Sequence, residues 1–143
     1  MSIFILVLSG VIQTSSAVER DVNELPQLAL AAWQCAVLAE QIDDIDPELH
    51  ARLWGLGYQS ATTYLTALNT EDEAITLENI PTLYYLNLSG PTVDFTAGVW
   101  WASTVEYTFD LLVEDESGER RDTALWPIVA ERLFRERSCR VLR

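Results

Sequence analysis

Few side chains in this sequence can do chemistry, and their spacing narrows what that chemistry is. There are two cysteines, Cys35 in "AAWQCAVLAE" and Cys139 in "FRERSCRVLR", and one histidine, His50. A zinc ribbon or a redox pair needs cysteines a few residues apart, and these stand near opposite ends of the chain. A Cys/His nucleophilic site would have to join His50 to one of them. His50 falls in the first turn of a helix between Glu48 and Arg52, the surroundings of a solvated imidazole. A disulfide between Cys35 and Cys139 is the economical use: in the chain-entropy model, closing a loop of about 100 residues stabilises by up to roughly 4.7 kcal/mol.

The carboxylates are many. Glu106, Asp110 and Glu114 lie at i, i+4 and i+8 on one helix face, where their mutual repulsion invites a counter-charge. Arg120, Arg121, Arg132 and Arg135 rank ahead of a divalent cation for that role, because no calcium-loop spacing accompanies the acids. No metal and no cofactor are expected. A hydrolase using a carboxylate pair, such as Glu106 with Asp94 or Asp110, is the alternative, and it requires two acids converging in a cleft with a shifted pKa. In "GVWWAS", Trp100 and Trp101 are about 100° apart on a helix, so both do not face the same core. The second ring is either the rim of a wide core stripe or, with Trp54, Tyr58, Tyr84 or Tyr85, part of a binding surface.

The elements that must carry these residues are helical. In "PQLALAAWQCAVLAEQI", Pro26 suits a first turn, and Leu28, Ala31, Cys35, Leu38 and Ile42 recur at three- and four-residue steps. Cys35 is thereby aimed at the core. The second helix opens at "DPELH", with Asp46 as N-cap and Pro47 as first residue, and buries Leu49, Leu53, Leu56, Ser60 and Tyr64. Gly55 and Gly57 in its middle each cost up to about 1 kcal/mol against Ala, which close packing of a helix or a Trp ring would offset.

Thr70 with Glu73 fits a capping box opening a short acidic helix that Pro81 interrupts, and "TLYYLNL" continues as helix, with a lone extended piece as the alternative. Phe95, Gly98, Ala102, Val105, Phe109 and Leu112 are spaced 3, 4, 3, 4, 3, predicting one seam buried at close range against another helix. After the turn "EDESGE", a last helix starts at Asp122 or Thr123 and shows Trp126, Val129, Ala130, Leu133 and Phe134 on its apolar face. Cys139 then points away from that face, so it reaches the core only if the helix stops at about residue 137 or 138 and the chain turns back.

Length and charge set the frame. The 143 residues, 49% of them apolar, fit one domain with a real core. Net charge is −13, with no lysine: residues 1–119 hold 19 acids and two arginines, and residues 120–143 hold seven arginines and three acids. An acidic body repels a phosphate backbone, which argues against nucleic-acid binding, and the basic tail reads as a neighbour of the acidic remainder.

Residues 3–12 are largely apolar and are followed by Ser15 and Ala17 at the −3 and −1 positions of a cleavage site, the layout of a signal peptide, although no basic residue precedes the run. Ten residues are too few to span a bilayer. The expectation is a signal peptide over 1–17 and one all-α domain over 18–143, a compact bundle of four to five helices with the first and last joined by the disulfide, located in the periplasm or secreted.

Its make-up is similar to that of periplasmic chaperones and of immunity proteins for secreted toxins, a likeness carried by no motif. From the acidic charge and the aromatic pair, the expectation is a non-catalytic inhibitor, immunity or chaperone-like role, binding a basic protein partner through Trp100, Trp101, Glu106, Asp110 and Glu114. An envelope-associated structural protein, held at a membrane by an uncleaved N-terminus, is a further alternative.

Overall fold

The computed structural model describes residues 20–71 and 73–143, so the expected signal segment, 1–17, lies outside the described residues. Among the described residues there are five α-helices: α1 (Leu25–Ala39), α2 (Pro47–Leu68), α3 (Thr82–Tyr85), α4 (Val93–Val113) and α5 (Trp126–Glu136). The fold is all-α, and a disulfide between Cys35 and Cys139, with Cα atoms 5.5 Å apart, ties the first helix to the chain just past the last. Among the described residues no helix is long and apolar enough to cross a membrane.

The helix starts are written in short polar side chains. Asp46 Oδ1 accepts from the Glu48 N–H at 2.9 Å at the head of α2, and Thr92 Oγ1 accepts from the Phe95 N–H at 3.1 Å at the head of α4. Each satisfies a donor that the helix itself leaves free. Asp122 caps a 3-10 turn that leads into α5, which places Pro127 at the start of the helix, where its missing N–H breaks no bond.

Helix α1 is central. Every residue from Ala32 to Ala39 is buried, because its alanines let α2, α4 and α5 approach from several sides. Two core clusters result. One gathers Trp33, Tyr64, Tyr84 and Trp100; the other gathers Leu38, Leu53, Leu112, Phe134 and the disulfide. Trp101 packs against both.

Two expectations are corrected. No helix opens at Thr70: its hydroxyl donates to the Ala67 carbonyl and Glu71 adopts φ 54°, so the chain turns, and helix returns only for the single turn of α3. The buried face of α4 is also not the 3-4-3-4-3 seam. Of that seam only Leu112 is buried; Thr96, Ala97, Trp100, Thr104 and Thr108 face the core with it, while Phe95 is 56% exposed, Gly98 and Ala102 are open to solvent, and Val105 and Phe109 are half-buried. The threonines are tolerated inside because Thr104 and Thr108 each donate to the carbonyl four residues back, at 2.9 and 2.7 Å.

The end of α5 resolves how Cys139 reaches the core. The Cys139 N–H donates to the Phe134 carbonyl at 3.1 Å and the Ser138 N–H to the Arg135 carbonyl at 3.0 Å, the paired bonds of a Schellman stop. Ser138 takes the left-handed conformation, φ 54°, that such a stop requires. The chain reverses there, and the wholly buried Cys139 side chain meets Cys35. Beyond it, Arg52 donates to the carbonyls of Leu142 and Arg140, and Arg20 donates to the carbonyl of Arg143.

Candidate interaction surface

Of the residues singled out in the sequence, Trp100 is spent inside the fold. It is wholly buried, stacked on Tyr84 with centroids 4.3 Å apart, and its Nε1–H donates to the Asn87 carbonyl at 2.6 Å. Tyr84 is held on its other side by a 2.6 Å bond to Thr104 Oγ1, and burial pushes its phenol well above the ordinary tyrosine range. Trp100 therefore offers no surface to a partner. Trp101, the next residue, is half-buried at the edge of the core, where it meets Trp33 edge-on at 5.8 Å and Trp54 edge-on at 6.4 Å.

Trp101 leads outward to a pair of exposed rings on α2. Trp54 and Tyr58, one helical turn apart, stack at 5.3 Å with planes 9° apart, and are 39% and 37% exposed. The Tyr58 hydroxyl donates to Asp94 Oδ1 at 2.7 Å, tying the rings to the first turn of α4; that bond to a carboxylate raises the Tyr58 pKa. These rings are thus fixed at the side of α4 rather than swinging free. Tyr85, also considered from the sequence, is 53% exposed on α3.

The acids of α4 lie on its outer side. Glu106, Asp110 and Glu114 are all exposed. The expected arginine partners do not close on them: among the described residues no arginine lies within 4.0 Å of a carboxylate side chain, and the one basic side chain that does is His50, whose Nε2 is hydrogen-bonded to Glu40 Oε1 at 3.1 Å. Asp110 and Glu114 do share a surface groove with Arg121, Arg132 and Arg137. Arg121, however, is spent on the backbone. Its guanidinium donates to the carbonyls of Leu111 and Leu112 at 2.7 and 3.0 Å, closing the C-terminal end of α4. The following turn is held by Asp115, whose Oδ1 accepts from the Ser117 hydroxyl and from the N–H groups of Ser117 and Glu119; these bonds, the Ser117 hydroxyl first, lower its pKa.

The two glycines of α2 separate clearly. A Cβ on Gly57 would stand 2.4 Å from Trp33 Cδ1, so Gly57 is where the indole of α1 lies on the bare backbone of α2, and Trp33 Nε1–H donates to the Trp54 carbonyl there at 3.2 Å. Gly55 has nothing within 4 Å of such a Cβ, and neither has Gly98 on α4. Sequence reasoning placed Phe95, Gly98 and Ala102 in the core. The signal for the opposite outcome was that α4 carries apolar or small residues on two sides, while only one side has the i, i+4 row that includes Trp100.

No protein-family model, no curated protein and no solved structure matches this chain.

Proposed function

We propose that this is an exported, non-catalytic binding protein that captures a basic protein partner across the outer side of α4, between the exposed rings of α2 at one edge and the acids of α4 at the other. The observation that carries the reading is the free row Glu106, Asp110 and Glu114, exposed and without an ion pair among the described residues, in a chain whose last 24 residues hold seven arginines. Arg20, Arg52 and Arg121 bind backbone carbonyls, and Arg140 lies over the Phe134 ring. Arg121, Arg132 and Arg137 share the groove of Asp110 and Glu114 and offset part of their charge, but at a net charge of −13 the chain still steers a positively charged partner into contact and orients it. The half-buried Trp101 and the stacked Trp54 and Tyr58 supply the rigid apolar contact that an acidic field alone lacks. An inhibitor, immunity or chaperone-like role follows from covering a basic enzyme or toxin in this way. A buried disulfide supports an oxidising compartment, since reducing compartments rarely preserve one.

The test is capture of tagged protein from the extracytoplasmic fraction of its host, with partners identified by mass spectrometry. The expected partner is basic, its capture weakens at least tenfold in a Glu106→Gln, Asp110→Asn, Glu114→Gln variant, and the captured chain begins at Val18. An acidic partner, or capture that ignores the triple substitution, overturns the reading.

A further inference from the structure

The N-terminal part of the α4 face that the sequence marks as a close-packing seam is left outside: Phe95, Gly98 and Ala102 are exposed and Val105 is half-buried, while Phe109 is half-buried against Trp126, which it meets edge-on at 5.8 Å. At about 100° per residue, Phe95, Gly98, Ala102, Val105 and Phe109 fall within an arc of about 80°, on the side of the helix opposite the buried row that includes Trp100 and Thr104. They run along about 21 Å of helix at 1.5 Å per residue. Phe95 is 56% exposed, and at Gly98 a side chain would meet nothing. A helix that is apolar on both sides, with Gly98 and Ala102 open on the outer one, is built for a second neighbour.

Charge says which neighbour. On the helical wheel the seam is bordered on one side by Asp94 and on the other by Glu106 and Asp110, all exposed. A second copy of this chain would bring the same acids against these, and like charges across a helix pair repel. An apolar stripe bordered by Arg or Lys would place opposite charges at both edges. The stacked rings of Trp54 and Tyr58, held beside Asp94, form a raised wall on the α2 side, where a cation gains from the ring faces as well as from the carboxylate.

We propose that the partner element seated here is an amphipathic basic helix, lying along Phe95–Val105 with its closest approach at Gly98. This rests on the partner-binding reading above and adds to it the shape of the ligand and its contact line. With glycine at 98, the facing helix can occupy the space that a side chain there would fill.

Two synthetic helical peptides of one composition test this. In the first, Leu and Ala form an a/d stripe with Arg on both borders; in the second the same residues are scrambled so that no stripe forms. Binding is followed by anisotropy of a dye on the peptide. The striped peptide is expected to bind at least tenfold more tightly than the scrambled one, and Gly98→Leu or Ala102→Arg, each at an open helix position, is expected to remove that advantage with the melting temperature preserved. Equal binding of both peptides, with loss in a Glu106→Gln, Asp110→Asn variant, overturns the helix seat while leaving an acid-driven partner surface standing. Binding of neither overturns both. Sedimentation of the free chain as a dimer that Gly98→Leu dissociates overturns the choice of occupant.

Discussion

Gly57 and Trp33 are in contact at a distance that leaves no room for a methyl group: a Cβ on Gly57 would lie 2.4 Å from Trp33 Cδ1 and 2.6 Å from its Nε1. The ring is wholly buried and its N–H is bound to the Trp54 carbonyl, so it has nowhere to retreat. Gly57→Ala is accordingly expected to destabilise the protein by about 1–3 kcal/mol, the cost of overpacking a dense core. Gly55, two residues away with no neighbour, gives the control: Gly55→Ala is expected to stabilise by up to about 1 kcal/mol through helix propensity alone. Urea unfolding of the two variants checks the opposite signs.

The disulfide closes the loop between Cys35 and Cys139, 104 residues apart, and it holds a tail that Arg52 also grips by two carbonyls. Replacing both cysteines with Ala is expected to cost about 2–5 kcal/mol. Arg52→Ala is expected to leave the bond formed but raise hydrogen exchange at Val141, whose N–H lies in the reversed segment. If the double cysteine variant unfolds at the same denaturant concentration as the parent, the clasp contributes nothing.

The clasp was legible from residue types, because a pair of distant cysteines in a chain expected to be exported has few uses, and the phase of Cys139 demanded an early helix stop. The stop itself was not, since it is made by Ser138 in a left-handed conformation rather than by the glycine that usually marks it. Helices α1, α2, α4 and α5 were readable from caps and periodicity. The inward face of α4 was not, because Thr104 and Thr108 look polar in sequence and become core residues only once each hydroxyl is bound within its own helix. For the same reason Trp100 read as a surface candidate: nothing in "GVWWAS" says which ring Tyr84 will stack against.

That stop makes a prediction of its own. A residue with a Cβ in the left-handed region costs about 1–2 kcal/mol relative to the right-handed one, and glycine avoids that cost. Ser138→Gly is therefore expected to raise stability by several tenths to about 1 kcal/mol, part of the gain being offset by the greater freedom of glycine in the unfolded chain. Ser138→Val, a β-branched residue, is expected to lower it and to slow disulfide formation on refolding. Thermal melts of the two variants, with thiol titration during refolding, measure both effects.

Alkaline pH acts on a different set of contacts. The phenols of Tyr58, Tyr64 and Tyr84 all have folded-state pKa values above the ordinary 10.0, Tyr58 chiefly through its bond to Asp94 and the other two through burial. Above about pH 10 the unfolded chain has given up these protons while the folded chain still holds them, so it is the folded state that binds more protons. Stability is thus fully present below about pH 10 and falls as pH rises through the folded values. Tyr84→Phe, which keeps the ring stacked on Trp100 and removes the titrating hydroxyl, is expected to cost about 1 kcal/mol at neutral pH for the lost Thr104 bond and to flatten the decline above pH 10. Asp94→Asn removes the carboxylate that raises Tyr58, and is expected to move that phenol's absorbance titration down toward 10.0. Denaturant midpoints measured from pH 7 to 11.5 test the first expectation and ultraviolet titration the second; a decline equally steep in Tyr84→Phe would show that the buried phenol is not what alkali attacks.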